Sequence, residues 1–201
     1  TDYTNSGTMD VTGGNYTIVL SGTTPSFKTT GTINVAAGRT LTLQGNLSGG
    51  AGLNYNYNAG TLGGAGTVAV TSATLNLNTG LATSSAILTA SNATLAGPDT
   101  LRVDGGNPTF TSSTLNGPVV CSGGSAVATS CDWNALLDLR TGGTLEMRGT
   151  STFGGTFLSA PGSTVRLMGT AGANAALTST VPMQSNGLFE LGTAGATAAT
   201  L

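Results

Sequence analysis

The residues able to do chemistry in this chain are few, and the missing types narrow the choice first. There is no histidine, so neither a Ser-His-Asp nor a Cys-His arrangement can be built. Paired carboxylates remain, the arrangement that cleaves glycosidic bonds. The best-spaced pairs are Asp99 with Asp104 and Asp132 with Asp138. Each has a plainer reading. Asp99 follows Pro98 and Asp104 precedes Gly105-Gly106, which are turn positions. Asp138 and Arg140 are two apart, as in an ion pair on one strand face. Calcium on Asp99 and Asp104 would be short of ligands, and two cysteines without histidine fall short of four zinc ligands. The expectation is therefore no metal, no cofactor and no catalytic residue.

Cys121 and Cys131 bracket Ser122-Gly-Gly-Ser-Ala-Val-Ala-Thr-Ser130. Read as a disulfide, they close an insertion loop spanning 119–135 and fit an oxidising compartment. A loop this short contributes about 2–3 kcal/mol. Two free thiols are the alternative. Beside them stand Asp132 and Trp133, the latter the one Trp of the chain. An exposed Trp133 would stack on a sugar or anchor a partner protein; otherwise it covers the core beneath the insertion. Tyr55 and Tyr57, in Asn54-Tyr-Asn-Tyr-Asn58, lie on one face of a strand. They form either a small sugar-binding platform or an aromatic ladder. Trp133, Asp132, Tyr55 and Tyr57 are the candidate ligand- or partner-binding residues.

The elements that must position these groups are short strands. Two aliphatic residues flank one polar or small residue in Ile18-Val-Leu20, Ile33-Asn-Val35, Leu41-Thr-Leu43, Val68-Ala-Val70 and Leu75-Asn-Leu77. The pattern returns in Leu101-Arg-Val103, Leu137-Asp-Leu139, Leu145-Glu-Met147, Val165-Arg-Leu167 and Phe189-Glu-Leu191. A period of two is a strand period, and Gly-Gly pairs punctuate it as turns. The charged middle residues Arg102, Glu146, Arg166 and Glu190 are separated by 44, 20 and 24 positions. That recurrence favours a parallel solenoid of about 20–25 residues per coil over a sandwich. About nine coils would make a rod about 43 Å long. Arg and Glu would then alternate along one outward column.

Composition excludes several partners. Charged residues are 7% of the chain and the formal charge is −2. Six Lys and Arg cannot build the basic stripe that nucleic acid requires. No stretch approaches the roughly 18 apolar residues of a membrane span, so no membrane insertion is expected in this segment. The reading is one domain over 1–201, expected to be part of a longer chain.

The phrases Gly31-Thr-Ile-Asn-Val-Ala-Ala-Gly-Arg-Thr-Leu-Thr-Leu-Gln-Gly45, Gly66-Thr-Val-Ala-Val-Thr-Ser-Ala-Thr-Leu-Asn-Leu-Asn-Thr-Gly80 and Gly143-Thr-Leu-Glu-Met-Arg-Gly149 resemble repeats of secreted bacterial β-helix passengers. Those passengers are of the filamentous-haemagglutinin and autotransporter types. The resemblance implies an all-β, right-handed parallel β-helix at, or released from, the bacterial outer surface. The expected role is a non-enzymatic structural or adhesive stalk, with partners among host or neighbouring-cell surface proteins and glycans, or copies of itself. A polysaccharide-active enzyme and an end-to-end polymerising fibre subunit are the alternatives.

Overall fold

Alternation builds this structure. In nearly every strand named above the two aliphatic residues are buried and the residue between them faces outward. One coil cannot bury its apolar face alone, so successive coils stack and the inward side chains pile into columns. The computed structural model describes residues 2–20, 26–45, 54–83, 86–169, 174–193 and 199–200. The chain is a parallel β-solenoid of nine coils, each placing one strand on each of three walls. The first wall is a ten-stranded sheet running from Asp2–Asn5 to Ala199–Thr200. The third is a nine-stranded sheet from Tyr16–Val19 to Leu188–Thr193.

Coil length is read from the register. On the first wall Asn54, Thr74, Thr94, Thr114, Asp132 and Thr152 stand in line. The usual step between coils is 20, as between the stacked side chains of Asn56 and Asn76 or of Asp132 and Thr152. It shortens to 18 between Asn116 and Asn134. Longer steps separate Ser26 from Asn54 and Thr152 from Thr178. The expected insertion at 119–135 is thereby corrected. Those residues supply three ordinary strands, Val119–Cys121, Ser125–Thr129 and Asp132–Trp133, and belong to the shortest step along this wall.

The second wall is broken in two. Strands Thr8–Val11, Thr32–Val35 and Thr61–Gly63 form one sheet, and six strands from Leu81–Thr83 onward form another. The break accompanies a change of one in the corner before it. Tyr55 pairs with Leu75 on the first wall, and Val68 pairs with Leu88 on the third. The two coils therefore use the same length of chain between those walls, which stay in register. The inward residue of the second wall comes seven positions after Tyr55, at Leu62, but six after Leu75, at Leu81. A change of one in corner length does not by itself end a ladder, since Ile33 comes six positions after Phe27 and Leu62 seven after Tyr55 while Ile33 and Leu62 still pair.

A repeated corner joins the third wall to the first. Ser72, Asn92, Ser112 and Ser130 adopt φ of 48–53°, a left-handed conformation that costs a non-glycine residue about 1–2 kcal/mol. Their amides stay in the ladder: Ser72 N donates to Ser91 O, Asn92 N to Thr111 O and Ser112 N to Thr129 O. The next residue turns inward and is small: Ala73, Ala93, Ser113 and Cys131 are all buried.

Candidate functional site

Of the four candidate binding residues, the fold turns three inside. Trp133 lies in the first-wall column between Leu115 and Phe153 and is 1% exposed. Its ring stacks on Phe153 at 6.3 Å between centroids and meets Phe110 edge-on at 6.1 Å. The indole N–H is buried without an acceptor. It cannot stack on a sugar. Tyr55 and Tyr57 sit in the same wall and are buried. The Tyr55 hydroxyl lies 2.7 Å from the Ile18 carbonyl oxygen and 2.9 Å from that of Gln44, while Tyr57 donates to the Gly60 carbonyl. Burial pushes the Tyr55 phenol up to about 12. The sugar-platform reading of this pair is therefore corrected to an internal aromatic column, with Phe27 beside Tyr55 at 6.0 Å.

Only Asp132 faces solvent, between Thr114 and Thr152 in an outward rank, accepting a hydrogen bond from the Thr152 hydroxyl. A signal for this arrangement stands in the sequence. Thr74-Leu-Asn76, Thr94-Leu-Ala96, Thr114-Leu-Asn116, Asp132-Trp-Asn134 and Thr152-Phe-Gly154 are successive versions of one strand, with the middle residue inward.

The expected disulfide is absent: Cys121 and Cys131 are free and buried. The residues between them do not loop back but build a third-wall strand, Ser125–Thr129. Cys121 therefore belongs to the second-wall column between Val103 and Leu139, and Cys131 to the corner column. Burial, with a smaller contribution from Asp138, pushes the Cys121 thiol up to about 12. The Cys131 thiol is raised by burial as well. Thiols held in the protonated form are poor nucleophiles and poor metal ligands.

The carboxylate pairs are accounted for by local roles. Asp99 accepts from the Thr100 amide at 2.7 Å. Asp104 accepts from the Ser122 hydroxyl and pairs with Arg102 at 3.3 Å. Asp138 pairs with Arg140 at 3.0 Å, as the i,i+2 spacing implied. Asp132 is on the first wall and Asp138 on the second. Among the described residues no three metal-ligating side chains cluster.

The charge column takes shape on the third wall. Glu146, Arg166 and Glu190 stand in register, with Arg166 Nε 2.6 Å from Glu190 Oε2. The hydrogen bond and charge of Glu190 raise the Arg166 guanidinium further. Arg102 does not join them. It lies on the second wall, so the gap that placed it with Glu146 joins two different walls.

Several spaces remain. One is a small, partly open apolar cavity of about 20 Å³ among Phe27, Ile33, Tyr55, Tyr57 and Leu75. Another is an open depression of about 510 Å³ at the end of the first coil, floored by Tyr3, Met9, Ile18 and Phe27. Others are open depressions on the outer walls and corners, such as that of about 430 Å³ among Asn134, Leu136, Gly154 and Val181. Around it the strands Asp2–Asn5, Thr8–Val11 and Tyr16–Val19 each pair on one side only. The molecule is thus a filled parallel solenoid whose accessible features are polar walls and coil ends. Comparison with family models, curated proteins and solved structures finds no match.

Proposed function

We propose that this chain is a non-enzymatic stalk segment of a bacterial surface or extracellular protein, of the kind its β-helix passenger resemblance implies. Its work is reach, rigidity and resistance to proteolysis, with adhesion through the outer walls. The observation that carries this reading is the filled interior. Aliphatic and aromatic columns run through the stack, and the apolar cavity of about 20 Å³ among them has room for about one water. A narrow rod of this kind holds its shape through its own coil-to-coil ladders and offers few unpaired backbone segments to a protease.

The outer walls favour weak, repeated contacts. Asn76 donates to Asn54 and Asn56 at 3.1 Å, Asn78 to Asn58 at 2.7 Å and Asn134 to Asn116 at 2.9 Å. Ranks of amides and hydroxyls suit a host or neighbouring-cell glycan or protein met along a length of rod, and Asp132 lies within one such rank. The buried thiols carry no information on compartment, so the surface location rests on the resemblance and the composition. An antibody against the native rod, applied to intact cells of the producing organism, tests it. Labelling before lysis, erased by brief protease treatment of whole cells, is expected. Labelling only after lysis would refute the location and with it the stalk.

A further inference from the structure

The second wall is interrupted within the stack. Thr61–Gly63 pairs backward with Thr32–Val35, Leu81–Thr83 pairs forward with Leu101–Val103, and these two neighbouring strands do not pair with each other. The coils are joined on both sides of the interruption: Asn78 N donates to Tyr57 O at 2.9 Å and Ile87 N to Gly66 O at 3.0 Å. Between those two bonds no main-chain hydrogen bond crosses among the described residues. Main-chain groups of successive residues in a strand point to opposite sides. Leu81 N donates forward to Thr100 O, so the N–H and C=O of Ala82 point back into the gap. Thr32 N donates backward to Gly7 O. Ile33 therefore faces forward to hold Thr61 and Gly63, and the N–H and C=O of Leu62 point on into the same gap.

We propose that this gap is a binding site for a single neutral sugar ring. An open depression of about 360 Å³ lies over it, lined by Tyr57, Gly60, Thr61, Leu62, Gly80 and Ala82, within the size range of small-ligand sites. Its floor is low because the outward positions on the two strands are Gly63 and Ala82. The two free edges offer main-chain donors and acceptors together. The Thr61 hydroxyl donates to Thr32 Oγ1 at 3.2 Å and keeps its lone pairs for a ligand. At the margin, a Cβ on Gly80 would lie 3.5 Å from Asp99 Oδ1. That oxygen accepts from the Thr100 amide, which leaves Oδ2 for a ligand hydroxyl. An anionic ligand is disfavoured by this carboxylate, and Arg102, the outward neighbour of Ala82 on the next strand, has its guanidinium on Asp104. A peptide strand does not fit either. It would need two ladder spacings, about 9.6 Å, across the gap, whereas the bonds at Asn78 and Ile87 hold the coils one spacing apart. A compact ring whose hydroxyls both donate and accept meets the two edges without moving them. The inference deepens the adhesive reading by naming a site and a ligand class, and it rests on that reading for the source of the sugar, a cell-surface glycan.

The test is nitrogen–proton NMR of the isotope-labelled 201-residue chain, titrated with the methyl glycosides of glucose, galactose, mannose and N-acetylglucosamine. Without ligand, the Leu62 and Ala82 amides should exchange quickly with solvent, while those of Leu81 and Leu101, both in the ladder, are protected. At least one glycoside should shift the Leu62 and Ala82 resonances saturably and leave Val120, further along the same wall, unmoved. Ala82→Trp fills the depression from outside the core and should abolish the Leu62 shift with an unchanged circular-dichroism spectrum. Ala82→Leu serves as a milder filler should Ala82→Trp fail to fold. Ala69→Trp, at an outward position of the third wall, should bind as the wild type does. Protected amides at Leu62 and Ala82 overturn the proposal. So does the lack of a saturable shift with every glycoside, or a shift that survives the filled depression. A failed titration leaves the cell labelling as it was, and labelling only after lysis leaves a positive titration standing, so the two readings fail separately.

Discussion

Replacing Trp133 by alanine separates a core role from a binding role, because the first predicts a large loss of stability and the second almost none. Trp133 is 1% exposed. A large aromatic removes about 150–250 Å² from water, which at about 25 cal/mol per Å² is about 4–6 kcal/mol of transfer free energy. Against this stands the indole N–H, buried without an acceptor, at a cost of about 1–3 kcal/mol. The difference is about 1–5 kcal/mol, and the cavity left behind moves the expected loss for Trp133→Ala to the upper part of that range, about 3–5 kcal/mol. Trp133→Phe removes the unpaired donor and keeps a ring between Leu115 and Phe153, so it should lose much less, about 1–2 kcal/mol. Urea unfolding followed by circular dichroism measures both. Because the chain holds one Trp, its fluorescence gives an independent reading, a blue-shifted emission resistant to acrylamide. A Trp133→Ala chain losing less than about 1 kcal/mol, together with red-shifted and freely quenched wild-type emission, would refute the column in which the residue is placed.

The two cysteines should behave as packing residues: a reducing agent leaves the melting temperature unchanged, and a thiol reagent finds both groups only after denaturation. Cys131→Ser should be nearly neutral, since Ser113 and Ser151 already occupy its corner column and its amide bonds the Ser151 hydroxyl. Cys121→Ser puts a hydroxyl between Val103 and Leu139 and should cost about 1–3 kcal/mol, read from urea midpoints. Gly60 has φ +94°, and a Cβ there would lie 1.9 Å from the Gly31 carbonyl oxygen. Gly60→Ala should therefore destabilise by more than about 1 kcal/mol, and an unchanged midpoint would contradict the close backbone approach. Stability should also fall at high pH. Cys121 and Tyr55 have folded-state values pushed above their ordinary 9.0 and 10.0 to about 12, so above pH 9 the unfolded chain loses protons that the folded chain keeps. Their contribution is whole below that range and gone above about pH 12. Titrating urea midpoints between pH 8 and 12 should show a slope, and Cys121→Ala with Tyr55→Phe should flatten it.

What was legible in the sequence was whatever depends on one strand alone. Leu145-Glu-Met147 reads as inward, outward, inward from its alternation, and parity against its own neighbours is sufficient for that. The stacking of Glu146, Arg166 and Glu190 was legible too, because a step of one coil length carries a wall onto itself. What was not legible depends on phase between walls. The placement of Arg102 with Glu146 failed because the coils between them are 18 residues long, so two coils from Arg102 reach Asp138 and the rest of the gap leads on to the next wall. The cysteine loop and the two aromatic sites failed together for a related reason. A polar neighbour such as Asp132 or Asn56 marks the outward position of a strand, and on an alternating strand that is evidence that the adjacent aromatic points inward. Reading Asp132-Trp133 and Asn54-Tyr-Asn-Tyr57 as exposed clusters took the outward partner's polarity for the aromatic's own. The broken second wall carries the argument furthest. Leu62 and Leu81 are each correctly inward in their own strands, yet their ladders do not join, and neither strand's own pattern foretells that. In this fold strand parity decides what is buried, while the corners absorb changes of a residue, as between Val119 and Ala126 against Leu137 and Leu145, with both ladders intact. Corners of Gly, Ser and Asn, which can gain or lose a residue without touching the core, therefore set the surface that any partner encounters.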